Sequence, residues 1–203
     1  LKTVQIYYVP IPEDQGLQVL AAINAAAVSP MFLYVSITVP SDGTVIYYDH
    51  WEDGFETTVN NPAQTSTDVW GDNNPANGMP PGYATDILNA GDIIILNNVI
   101  DVTGGLSSAV IKYDGGDKIA STEAIAVTRT AWPSGAGTLH GGSVEMLDTS
   151  VWGQEYHVPV DDTVPPTTPY YDFQYTGLTV MASQNDTSIY RNSTLVTTIN
   201  EGQ

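Results

Sequence analysis

The densest run of chemically capable side chains is Asp49-His50-Trp51-Glu52-Asp53-Gly54-Phe55-Glu56, with four carboxylates and one imidazole directly after a β-rich stretch. Calcium takes about six to eight hard oxygens from flexible loops. This run offers several, and Asp72, Asn73, Asn74 and Asn77 could add more from a nearby loop. The expected metal set is therefore Asp49, Glu52, Asp53, Glu56, Asp72 and Asn74, with calcium as the ion. The spacing is not that of an EF-hand loop, whose closing bidentate Glu is missing. The same residues also fit a hydrogen-bonded turn with Trp51 and Phe55 packed inward.

Other constellations are weaker. Glycoside hydrolysis needs two carboxylates about 5–10 Å apart across a cleft. Glu52, Asp53, Glu56, Glu123 and Glu145 could supply a pair, and Trp51, Trp70, Trp132 and Trp152 could stack on sugars. Sequence spacing does not bring any two of them together. His140 and His157 stand apart from other ligands. No Gly-x-Ser-x-Gly elbow exists, and Ser134-Gly135 lacks the strand–turn–helix frame such a nucleophile needs. Asp114-Gly115-Gly116-Asp117 reads as a hairpin turn, because no helix follows it to hold a phosphate. No catalytic residues are assigned, and the chain is expected not to be an enzyme.

Composition narrows the classes. The 203 residues carry 23 acidic and five basic side chains, a net charge of −18. Such a chain is repelled by phosphate backbones and anionic membranes, so neither nucleic acid nor membrane insertion is expected. No apolar run approaches the roughly 18 residues of a spanning helix. With no cysteine, thiol catalysis, zinc–thiolate sites and disulfides are all excluded. A cysteine-free acidic chain suits a protein exported by a bacterium or archaeon. The start at Leu1 rather than Met carries the expectation of a removed leader or a trimmed sequence. Asn185-Asp186-Thr187 and Asn192-Ser193-Thr194 are glycosylation sequons, which makes Asn185 and Asn192 candidate modification sites.

These residues must be positioned by strands. β-rich runs bounded by turn residues occur at 1–9, 32–39, 44–49, 92–99, 108–113, 124–129, 144–147, 155–158, 177–182, 188–190 and 195–199. Residues 32–39 and 44–49 read as a hairpin closed by Pro40-Ser41-Asp42-Gly43. Residues 13–27 are the helical exception, with Leu17, Leu20, Ala21 and Asn24 on one face. Residues 60–83, rich in Asn, Pro and Gly, read as a long loop. Residues 37–47 align without gaps on 180–190, a faint internal repeat. Residues 1–160 are expected to form one β-rich domain; 161–203 are expected to supply a Pro-rich link and a C-terminal hairpin packed on it.

Three segments carry a family likeness: 114–128, Val151-Trp152-Gly153-Gln154-Glu155-Tyr156-His157-Val158-Pro159, and 180–189. Together they resemble the IgGFc-binding-protein N-terminal domain family. The stretch 47–56, with Val69-Trp70-Gly71-Asp72 and Asn74-Pro75-Ala76-Asn77-Gly78, is similar to large bacterial surface proteins bearing that domain. The resemblance implies an extracellular β-domain in long adhesive or structural proteins, and no enzymatic residues.

The expected fold is all-β, a sandwich with two pseudo-repeated halves, one short helix and a long loop. The expected function is a non-catalytic structural or adhesive module of a cell-surface appendage, filament or adhesin. Its partners would be copies of itself or other surface proteins. A calcium-dependent domain binding surface glycans is the alternative, and a glycoside hydrolase the third. Val4, Ile6 and Tyr8 share one face of the first strand. They are expected to mark an assembly strand, either paired at home or donated to a neighbour.

Overall fold

Alternation of apolar and polar residues decides the architecture. In β2 (Met31–Thr38) the side chains of Leu33, Val35 and Ile37 are buried on one face, and in β5 (Ile93–Ile100) Ile94 and Leu96 are buried beside them. Successive side chains of a strand point to opposite faces, so each strand presents one apolar stripe to the interior. The computed structural model describes residues 5–11, 31–100, 109–133, 142–159 and 177–203. Val4, the helix predicted over 13–27 and most of the Pro-rich link lie outside them.

Two four-stranded antiparallel sheets face each other in a sandwich-like arrangement. The first sheet has the order β1 (Gln5–Tyr8), β6 (Lys118–Ser121), β3 (Ile46–Asp49), β4 (Asp68–Trp70). The second has the order β5, β2, β7 (Ala126–Pro133), β8 (Gly142–Met146). A separate two-stranded hairpin pairs β9 (Thr187–Arg191) with β10 (Thr194–Ile199). Between the sheets lie Tyr7, Val9, Val35, Ile37, Ile46, Tyr48, Trp70, Ile94, Leu96, Ile119, Val127 and Met146. Full burial of each such aliphatic side chain stabilises by about 1.5–3 kcal/mol.

The all-β class is as expected, and several details differ. Residues 32–39 and 44–49 do not form a hairpin. The Pro40–Gly43 turn, with Gly43 at φ 70°, instead carries the chain from one sheet to the other. β2 is flanked on both sides, by β5 and β7, and has no open edge for β3. The stretch 60–83 is interrupted by β4, which pairs with β3. β6 was not expected; it follows the turn at 114–117. Residues 109–113, 155–158 and 177–181 form no strand, and only Ala182 makes a bridge, to Glu201. The likeness between 37–47 and 180–190 does not extend to structure. The first segment crosses between sheets, whereas the second leads into a local hairpin. Finally, Ile6 and Tyr8 sit in β1, paired with Ala120 and Lys118 of the same chain. Its outer edge is covered where Ile6 N–H donates to Asp148 Oδ2 at 2.8 Å, which blunts it for further pairing. Asp148 also caps the 3₁₀ turn Thr149–Val151.

Candidate functional site

β3 ends at Asp49, and β6 begins at Lys118. Antiparallel pairing sets these two residues directly opposite each other. The chain reverses beyond each. After β3 it turns through Trp51–Gly54, with Gly54 at φ 90° and its N–H on Trp51 O. Before β6 it turns through Asp114–Gly116, with Gly116 at φ 108°. A Cβ on Gly116 would lie 3.1 Å from the Trp51 ring, so the two turns pack against each other only because glycine is there.

Strand alternation sends the neighbours Asp117 and Lys118 to opposite faces of the sheet, and each anchors a buried charged network. On the inner face, Asp117 Oδ2 accepts from Tyr48 OH at 2.8 Å and from Asp114 N–H at 2.9 Å, and Oδ1 accepts from Trp51 N–H at 3.2 Å. His50 Nδ1 is 3.6 Å from Asp117 Oδ2 and 2.8 Å from Lys112 O. Glu52 Oε1 accepts the Lys112 N–H at 2.8 Å. Tyr48, His50, Trp70 and Tyr113 form an aromatic cluster with centroids 5.1–6.1 Å apart. Tyr113 OH donates to Asp68 Oδ2, and Trp51 Nε1 donates to Asp114 Oδ1.

Burial sets the electrostatics. It opposes a charge on His50, but Asp117, the Lys112 carbonyl and Glu52 outweigh it and push the imidazole pKa up to about 9. Burial raises the Asp117 carboxyl, and His50, Asp114 N–H and Tyr48 moderate the rise. Glu52 is raised by burial and by the charge of Asp117. Tyr48 is held well above its ordinary value by burial and by Asp117.

On the outer face, Lys118 Nζ lies 3.2 Å from Asp49 Oδ2 and 3.1 Å from Glu201 Oε1, donates to Glu56 O at 3.3 Å, and sits 4.6 Å above the Phe55 ring. Asp49 accepts the Glu56 N–H, and Glu56 Oε1 in turn accepts from Ala63 and Gln64 N–H groups. Tyr8 OH donates to Glu201 Oε1 at 2.6 Å. The last residues thereby close over this face. Gly202 O lies 3.7 Å from the position a Cβ on Gly116 would take.

The six residues expected to share a calcium ion are thus distributed. Asp49 and Glu56 belong to the Lys118 network. Glu52 belongs to the Asp117 network. Asp53 is exposed and accepts from Ser66 Oγ. Asp72 and Asn74 lie in the loop after β4, where Asp72 accepts from Asn74 N–H and Asn77 Nδ2, and Asp86 also accepts from Asn74 N–H. Most of their oxygens already bond protein donors. Among the described residues, His50, Glu52 and Asp117, each offering one ligand atom within 4.8 Å of the others, form a group that could hold a metal ion.

Of these, His50 and Glu52 stand out in sequence. Asp117, Lys118 and Glu201 were missed, and Tyr8 was singled out only as part of an assembly strand. The signal for the first two was an Asp-Lys pair placed immediately before the apolar Ile119-Ala120, which is unusual for a turn. The five carboxylates considered for hydrolysis do not line the open hollow of about 470 Å³ beside β5, whose walls include Tyr83, Ile93, Ile95 and Tyr113.

Comparisons with known families, curated proteins and solved structures give no match. The reading therefore rests on the residues. Two turns, one terminal segment and the ends of two central strands are fastened by charged side chains whose partners are each other.

Candidate sequons lie on or near the remaining element. Asn192 occupies the β9–β10 turn at φ 48°, followed by Ser193 at φ 67°. Asn185 is exposed, and its Oδ1 accepts from Glu201 N–H at 3.2 Å.

Proposed function

We propose that this chain is a non-catalytic structural or adhesive module, a subunit or repeat of an extracellular appendage, filament or adhesin. The observation that carries the proposal is the β9–β10 hairpin. Tyr190, Leu195 and Val196 are 61%, 54% and 60% exposed, and Tyr190 and Leu195 stand opposite each other across the two strands. A lone two-stranded hairpin is marginal in water and gains stability when a third strand or a packed face covers it. In a chain of net charge −18, residues 187–199 carry a single charged side chain, Arg191. A second acidic copy can approach there with least repulsion, and Arg191 meets its carboxylates. The likeness to bacterial surface proteins points the same way.

Sedimentation velocity across a concentration series, with negative-stain imaging of the concentrated material, tests this. Association is expected in the wild-type chain and its loss in a Tyr190→Ser, Leu195→Ser, Val196→Ser triple variant that keeps the same melting temperature. A wild-type chain that stays monomeric at every concentration overturns self-assembly.

A further inference from the structure

One oxygen in the inner network has no protein partner among the described residues. Glu52 is 9% exposed, its Oε1 holds the Lys112 N–H, and its buried Oε2 bonds nothing. Buried carboxylate oxygens are seldom left so, and an exception calls for a water, an ion or another occupant. Around it stand His50 and Asp117, whose ligand atoms lie within 4.8 Å of one another and of a Glu52 oxygen. The Lys112 carbonyl, 2.8 Å from His50 Nδ1, is the hydrogen-bond acceptor that orients this ring. We propose that His50, Glu52 and Asp117 bind one divalent cation of the zinc class, with the fourth position left to water.

The donor set selects the ion. Zinc accepts imidazole and carboxylate ligands in a tetrahedron with bonds of about 2.0–2.2 Å, which places ligand atoms roughly 3.3–3.6 Å apart. The 3.6 Å between His50 Nδ1 and Asp117 Oδ2 meets that spacing. Calcium needs about six to eight oxygens at longer range, and this group offers two carboxylates and a nitrogen. Outer partners that fix the ligands are already in place. Tyr48 OH and the Asp114 and Trp51 N–H groups all hold the Asp117 carboxylate, the arrangement that orients metal-binding carboxylates. Binding through Nδ1 displaces the proton shared with the Lys112 carbonyl, and that proton leaves to solvent. The ion would tie the 50–52 turn to the 112–117 segment, independently of whether the hairpin assembles.

The test uses chelator-treated full chain with zinc or calcium added, to folded protein and during refolding. Zinc at about 100 times its dissociation constant is expected to raise the melting temperature by roughly 5–10 °C. Calcium at the same concentration is expected to leave it unchanged. Glu52→Gln should remove most of the zinc effect. Because that variant could fail to fold, imidazole NMR signals of the wild-type chain provide a second readout. Zinc should move the His50 signals ahead of those of His140 and His157. The proposal is overturned by an unchanged melting temperature with zinc, by stabilisation with calcium alone, or by a response confined to the 93%-exposed His157. The triple hairpin variant should bind zinc as the wild type does, so failure of the assembly reading and failure of this one are separable.

Discussion

The two ends of the structure invert the usual placement of side chains. Where β3 and β6 meet, Asp49, Asp117, Lys118 and His50 are buried and bonded to one another. In the β9–β10 hairpin, Tyr190, Leu195 and Val196 face outward while the polar network is sparse. Charge holds the first region, and apolar surface is left available in the second. A residue's chemical character therefore does not report its role here; the partners around it do.

The largest expected effect lies in the charged region. Lys118→Met removes the cation facing Asp49 and Glu201 and leaves buried acid uncompensated, which should cost about 3–5 kcal/mol in chemical denaturation. A loss under about 1 kcal/mol would mean that the network is far more hydrated than its burial implies. Next is pH. Below pH 6.5 His50 is charged whether the chain is folded or not, so its contribution is fully present there. Between 6.5 and about 9 the folded chain keeps a proton that the unfolded chain has lost. Stability should therefore fall across that window, by about 3 kcal/mol at most. The buried carboxyls of Asp117 and Glu52, raised in the same sense, add a loss at lower pH. Urea titrations at pH 6 and pH 10, repeated on His50→Gln, check the slope; a wild-type chain more stable at pH 10 contradicts the assignment.

Gly202→Ala should have a smaller effect. The residue has φ 76°, and a Cβ would stand 2.5 Å from the Phe55 ring, so a loss of about 1–3 kcal/mol is expected. A thermal melt identical to wild type would show that the terminal segment does not hold this position. The smallest effect belongs to the hairpin, where Leu195→Ser alone should change monomer stability by no more than about 0.5 kcal/mol. A loss of 2 kcal/mol would place Leu195 in the fold rather than on an interaction surface.

Strands with regular alternation and several residues in length were legible from sequence. β2, β5, β9 and β10 fall close to their expected spans. Two were hidden, for different reasons. β4 has three residues within an Asn- and Pro-rich stretch, too few for a period to register. β6 begins with a lysine whose burial depends on Asp49 and Glu201, residues far from it in the chain. The Pro40–Gly43 turn was recognised correctly, yet turn chemistry specifies a reversal and not whether the flanking strands share a sheet. Residues 155–158 look like a strand but find no ladder partner, and Tyr156 and Val158 remain exposed. At the site, the density of Asp49–Glu56 was visible, but its division between two faces follows from alternation about Asp117 and Lys118, which no local pattern contains.

That adjacent pair has a further consequence for how the chain reaches its native state. If β6 slid by one residue against β1 and β3, every side chain would exchange faces. Lys118 would then stand beside the His50 imidazole, and Asp117 would join Asp49, Glu56 and Glu201 with no cation among them. Apolar strands tolerate such a slip until packing is complete, whereas here repulsion penalises it as soon as the turns come together. Asp117 and Lys118 act as a two-letter key whose charges fit one alignment of β6 and disfavour its neighbours.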